Sequence, residues 1–221
     1  AGTSLELRAI QRLQGHLPLL LHPQPTRVLH IGFGSGGTAW AVSRHPVEHI
    51  EIAEISPEVL AVSDRVFSDI NRGVLRDPRV RVMLNDGRNV LLASRDRWDV
   101  ILSDSIHPVF AGNSTLYTRE YFELCRAHLP PDGVLSMWLP MYSLSESSFL
   151  GILRAFWEVF PSTAVWYDPI SLNEFTVVTG TASREGLRVR WDALSDPRLV
   201  PTLPEAGART TAAQAGLLLV G

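Results

Sequence analysis

The sequence predicts an α/β fold: a doubly wound, mostly parallel sheet of seven strands with an antiparallel C-terminal hairpin. Three observations carry this. Short apolar, β-rich runs alternate with helical patterns along most of the chain, as βαβ units require. A glycine-rich turn, Gly32-Phe-Gly-Ser-Gly-Gly37, follows the first run and opens a helix. Acidic residues then stand at the carboxyl ends of three successive strands, where an open parallel sheet holds its ligand.

The first strand, Arg27–Ile31, is entered from a turn that holds Pro23 and Pro25. Past the glycines, residues 38–44 read as a helix and residues 49–55 as the second strand. Ser56 and Pro57 start the next helix: a hydroxyl cap, then a proline whose missing N–H is harmless in the first turn. Residues 79–84 and 98–103 form the third and fourth strands. Residues 104–114 are rich in turn formers and lack a regular period. They lead into a helix that ends near Leu129, stopped by Pro130, Pro131 and Gly133. Residues 133–139 give the fifth strand, 146–160 an amphipathic helix, and 163–167 with 175–179 a closing hairpin. Beyond Ser183 the pattern gives way to Pro, Ala and Thr. The expected division is a ligand-binding domain over residues 1–182 and a tail or partial appendage over 183–221.

The chain has 221 residues, 45% hydrophobic and 19% charged, enough to bury a sizeable core. Its net charge of −3 and the lack of a basic stripe argue against a nucleic-acid partner. The single cysteine, Cys125, excludes an internal disulfide and fits a reducing, cytoplasmic setting. No apolar run reaches the length that crosses a bilayer, and the chain opens on Ala1 with no leader pattern, so it reads as an excised or processed soluble piece. His16, His22 and His30 lack metal-ligand spacing, and no metal site is expected. Cys125 and Trp98, Trp138 and Trp166 read as core.

Without Cβ atoms the turn can bend sharply and let backbone approach a ligand. Gly32, Gly34 and Gly37 also satisfy the dinucleotide fingerprint, so the turn alone does not separate a nicotinamide ligand from an S-adenosyl one. Glu54 closes the second strand, about twenty residues past the glycines, where a carboxylate accepts ribose hydroxyls. Asp86 closes the third strand and suits an adenine amino group; Asp104 closes the fourth and faces the reacting end. Each acid alone also reads as a helix cap or turn former, Asp86 before Gly87 above all. As a set they favour an adenosyl ligand lying across the sheet.

Val28-Leu-His-Ile-Gly-Phe-Gly-Ser-Gly-Gly37, Glu54-Ile-Ser, Asn85-Asp-Gly87, Asp104-Ser105 with Pro108, and Leu116-Tyr-Thr-Arg-Glu-Tyr-Phe122 together resemble the spermidine/spermine synthases, the polyamine aminopropyltransferases. They are most similar to the spermidine synthase-like domains that bacteria fuse to membrane segments, over about residues 10 to 180. The resemblance implies a Rossmann-like fold of the S-adenosylmethionine-dependent methyltransferase type. It implies aminopropyl transfer from decarboxylated S-adenosylmethionine to a small amine, releasing methylthioadenosine. It places Gly32, Gly34, Ser35, Gly36, Glu54, Ile55, Asp86, Gly87, Asp104 and Ser105 at the cofactor, with Asp104 as the catalytic base and His107 and Tyr117 at the substrate. It also allows a homodimer and a cytoplasmic domain with an upstream membrane segment.

Departures from the family pattern qualify the substrate. Ser35 stands where the family carries an aspartate for the aminopropyl end, and His107 replaces a second polyamine-binding acid. The family's N-terminal Tyr-Gln pair is missing, and its late Ile-Pro-Thr-Tyr segment has no counterpart near Ile170. His107 reads either as a substrate ligand or base, or as a solvated loop histidine; Tyr117 either meets substrate or packs its helix start. The alternatives to aminopropyl transfer are methyl transfer from S-adenosylmethionine, leaving S-adenosylhomocysteine, a non-catalytic adenosyl-binding domain and, last, a nicotinamide oxidoreductase.

Overall fold

The computed structural model describes residues 5–104, 107–110, 112–167 and 175–206. Strands β1 (Arg27–Ile31), β2 (His49–Glu54), β3 (Val80–Leu84), β4 (Val100–Ser103), β5 (Val134–Pro140), β6 (Ser162–Tyr167) and β7 (Phe175–Thr181) form one sheet in the order β3-β2-β1-β4-β5-β7-β6. The first five run parallel, and β7 runs antiparallel to both β5 and β6. The expected strands match these bounds to within two residues.

The helices are α1 (Leu5–Leu21), α2 (Gly37–Ser43), α3 (Pro57–Val66), α4 (Ser68–Asn71), α5 (Gly87–Ala93), α6 (Arg119–Ala127) and α7 (Glu146–Val159). Their starts follow local chemistry. Ser56 Oγ accepts from Val59 N–H at 3.2 Å with Pro57 in the first turn, as expected. Thr118 and Ser145 cap α6 and α7 in the same way.

Alternation along the strands splits the core between two faces. Val28, Ile50, Ile52, Val100 and Leu102 pack beneath Ile10, Leu13 and Leu17 of α1 and Ala39 and Trp40 of α2. On the other face Leu29, Ile31, Ile101 and Leu135 meet Leu91 of α5, Tyr121, Phe122 and Cys125 of α6 and Phe156 of α7. Cys125 and Trp98 are buried as expected, and burial pushes the Cys125 thiol up to about 12. Trp166 is buried with its indole N–H on Thr179 Oγ1 at 2.7 Å, whereas Trp138 is only half-buried.

The sequence pattern gave no sign of α1. Gly15 and Pro18 stand inside it. Gly15 is a contact point: a Cβ there would lie 2.6 Å from both Ala41 Cβ and Thr38 O, so α1 and α2 meet only because it is glycine.

The chain after β7 returns to α1. Arg190 N–H donates to Leu20 O at 2.8 Å, Leu199, Thr202 and Leu203 are buried, and Glu205 pairs with Arg12 at 3.1 Å and with Arg72. Residue 170 lies outside the described residues. No helix among the described residues is long and apolar enough to cross a membrane.

Candidate active site

The carboxyl ends of β3, β2, β1 and β4 stand side by side, and each supplies one part of the site. From β3 to β4 is three strand spacings, about 14 Å.

At the end of β1 the chain turns through Gly32, Gly34 and Gly36 with φ of 87°, 53° and 79°, the left-handed region that glycine enters freely. Gly32 N–H is fixed to Ala53 O at 2.8 Å and Gly36 N–H to Phe33 O at 2.9 Å, with the Phe33 ring buried beneath. A Cβ on Gly36 would strike that ring at 2.5 Å, while one on Gly34 would meet nothing within 4 Å. Gly36 therefore serves packing, and Gly34 leaves open space above the turn.

Glu54, at the end of β2, is 7% exposed and holds the turn in place. Its Oε2 accepts from Phe33 N–H at 2.8 Å and its Oε1 from Ser56 N–H at 2.9 Å. Each carboxylate oxygen keeps a further lone pair for a ligand hydroxyl. Ile55, next in sequence, is 70% exposed, and Leu84 at the end of β3 is also exposed, so apolar surface is uncovered on this lip. Asp86 caps α5, its Oδ1 accepting from Arg88 and Asn89 N–H at 2.8 and 3.1 Å. Gly87 lets α5 sit against β1, since a Cβ would lie 2.3 Å from Ile31 Cγ2.

Asp104 leaves β4 with its N–H on Ile31 O at 2.9 Å. Its Oδ2 accepts from Thr38 Oγ1 in α2 at 2.8 Å, which ties the fourth strand end to the glycine turn. His30 Nε2 lies 3.6 Å from the same oxygen. Ser35 is buried, its hydroxyl 3.1 Å from Gln11 Oε1 of α1. Sequence reasoning missed Thr38, His30 and Gln11. An ionisable residue inside an apolar strand was the available signal for His30. Ser105 lies outside the described residues.

His107 is buried, with both ring nitrogens engaged: Val109 N–H donates to Nδ1 at 3.2 Å, so the N–H is on Nε2 and points to Tyr142 O at 2.8 Å. Its ring packs against Phe110, Trp138 and Tyr142. Tyr117 is buried, its hydroxyl donating to Trp138 O at 3.3 Å. Both side chains stand on the β4–β5 side of the sheet edge, bonded to backbone in or just beyond β5. A cavity of about 370 Å³ lies at the opposite sheet edge, lined by Leu21, Pro23, Asp132 and Arg190 among others, and shares no residue with this site.

Residues 7–181 match the family described as spermine/spermidine synthase domain. A polyamine aminopropyltransferase of Nitrosomonas europaea is 30% identical over 78% of the chain and 58% of its own length. A spermidine synthase of Dictyostelium discoideum is 32% identical over 73% and 57%. The chain thus spans less than three-fifths of these curated relatives. Among solved structures, a spermidine synthase in complex with the transition state analogue AdoDATO superposes with a TM-score of 0.74 at 23% identity, over 90% of this chain and 75% of that one. Human methyltransferase-like protein 13 in complex with SAH gives 0.62 at 19% identity, over 96% of both. The match over most of the chain decides the family: this chain belongs to the spermine/spermidine synthase domain family.

Proposed function

We propose that the domain transfers an aminopropyl group from decarboxylated S-adenosylmethionine to an amine, with Asp104 as the base that frees the amine nitrogen. The observation that carries this is Asp104, anchored through Oδ2 to Thr38 in the first turn of α2 just past the glycine turn, with no partner on Oδ1 among the described residues. The residues present fit an adenosyl group: open space over Gly34, lone pairs on Glu54, an Asp86 Oδ2 without a partner among the described residues, and exposed Ile55. When bound, the donor supplies an electrophilic carbon beside a sulfonium. Glu54 and Asp86 orient the nucleoside, and Asp104 takes a proton that an alkylamine otherwise retains near neutral pH.

Asp104→Asn is expected to lower transfer by about a hundredfold or more, the usual scale for a positioned base, while methylthioadenosine still protects the fold. A fully active asparagine variant would remove Asp104 from the reaction. Lack of any thermal shift with methylthioadenosine would remove the adenosyl assignment itself.

Ser35 favours a second reading. With a buried hydroxyl on Gln11 in place of the family's acid, the carboxylate of intact S-adenosylmethionine meets no repulsion there, and methyl transfer becomes admissible. Calorimetric titration with both cofactor forms separates the two. The resemblance alone supports the remaining proposals, a cytoplasmic place for the domain, a homodimer, and a membrane segment elsewhere in the natural polypeptide. Light scattering of the domain and fractionation of the natural protein test them.

A further inference from the structure

His30 stands in the middle of β1, two residues ahead of the glycine turn, and is wholly buried. It shares the face of Val28, between the sheet and α1 with α2, and its register neighbours are Ile52 on β2 and Leu102 on β4. Neither ring nitrogen has a hydrogen-bond partner among the described residues. Buried polar groups are nearly always satisfied, so an imidazole left this way requires a reason.

The reason lies at the end of the next strand. Asp104 Oδ2 is 3.6 Å from His30 Nε2, and the Asp104 side chain is 24% exposed. One end of the pair therefore reaches solvent while the other is sealed in the core. The separation exceeds a hydrogen bond, but contacts of this kind are commonly long without substrate and tighten in its presence. Of the groups packed around His30, α2 brings Thr38 and no ionisable side chain. On α1, Arg12 is held by Gly37 O, Ile70 O and Glu205, and His16 by His45 and Thr202.

We infer that His30 and Asp104 form a proton-holding pair, His30 receiving on Nε2 the proton that Asp104 takes from the substrate amine. This rests on the aminopropyl-transfer reading. The alkylammonium gives up one N–H proton and keeps the bonding electrons as its lone pair. The proton passes through the Asp104 carboxylate to the Nε2 lone pair, so Asp104 ends ionised and His30 ends as an imidazolium beside it. The amine then forms its bond to carbon as the carbon–sulfur bond breaks, with that electron pair going to sulfur. After product leaves, the imidazolium proton returns to water by way of Asp104.

His30 acts through Asp104 and is in that sense a positioning residue.

Two measurements test the pair. In methylthioadenosine-saturated protein, the pH midpoint of the His30 imidazole resonances is expected to fall by about a unit or more in Asp104→Asn, because an opposite charge at this distance favours the imidazolium. An unmoved midpoint overturns the pair. In the transfer assay, His30→Val is expected to lower kcat at neutral pH by about tenfold or more and move the acidic limb of its pH profile towards the carboxylate range, with KM for the donor nearly unchanged. A folded valine variant with the wild-type profile overturns it as well. Should valine not fold, His30→Gln carries the kinetic test, with the same change in profile expected and an unchanged one overturning the pair. If no protein transfers an aminopropyl group, the reaction reading falls, and the resonance measurement alone decides whether the pair exists.

Discussion

Lowering the pH from about 7.5 to about 5 is expected to destabilise the domain through the clasp between α1 and the C-terminal segment. His16 Nε2 lies 3.1 Å from Thr202 Oγ1, whose own proton is spent on Leu199 O at 2.6 Å. His16 Nε2 must therefore donate, and its Nδ1 must accept from His45 Nε2–H at 3.0 Å. Protonating His16 at Nδ1 would break that bond, so its ring is held neutral. Burial holds His16 down to about 3, helped by the Arg12 and Arg44 charges, and burial also holds His45 well below 6.5. With folded values below the unfolded one, this stability is present above about pH 6.5 and lost as the pH falls. The slope is about 1.4 kcal/mol per pH unit for each histidine that stays neutral. Between about pH 6.5 and 5 that is about 2 kcal/mol for His16, with His45 contributing in the same direction, a large part of a typical 5–15 kcal/mol. Urea midpoints at the two pH values measure it, and His16→Gln with His45→Gln should flatten the dependence. Equal midpoints in the wild type, or an unchanged slope in the double variant, would refute the reasoning.

Two glycines should respond oppositely. Gly34→Ala, with open space but φ of 53°, is expected to cost about 1 kcal/mol of stability and at least about tenfold in methylthioadenosine affinity. Gly87→Ala, driven into Ile31, is expected to cost about 1–3 kcal/mol in a urea titration with less effect on affinity per folded molecule. Ser35→Asp with His107→Asp is expected to raise preference for decarboxylated over intact S-adenosylmethionine and for putrescine together, scored by product formation with each. An unchanged preference would show that other residues supply the charge.

The five parallel strands were legible because each is a short apolar run bounded by Gly, Pro or Asp, and local chemistry fixes such boundaries. The glycine turn and Glu54, Asp86 and Asp104 followed, since strand ends are readable once strands are. What stayed hidden depends on packing between distant segments. Gly15 and Pro18 masked α1 because a breaker and a contact point look alike in sequence. The burial of Leu199, Thr202 and Leu203 arises from a surface that α1 creates. His107 gave no sign that Tyr142 O and Val109 N–H would occupy both its nitrogens, and His30 gains meaning only from Asp104, three strands on in chain order.

The placement of β7 sets an order of assembly. β6 is made before β7, yet it pairs only with β7, which alone joins it to β5. Emerging from the ribosome, each of β2 to β5 can pair with a strand already made, whereas β6 must wait with unpaired edges for residues 175–181. Until then β5 is the sheet margin, and its half-buried Trp138 lies there beside backbone that still lacks partners. The outer margin of β5 is therefore the last part of the parallel sheet to be covered, and an interrupted chain would present unpaired backbone and Trp138 there.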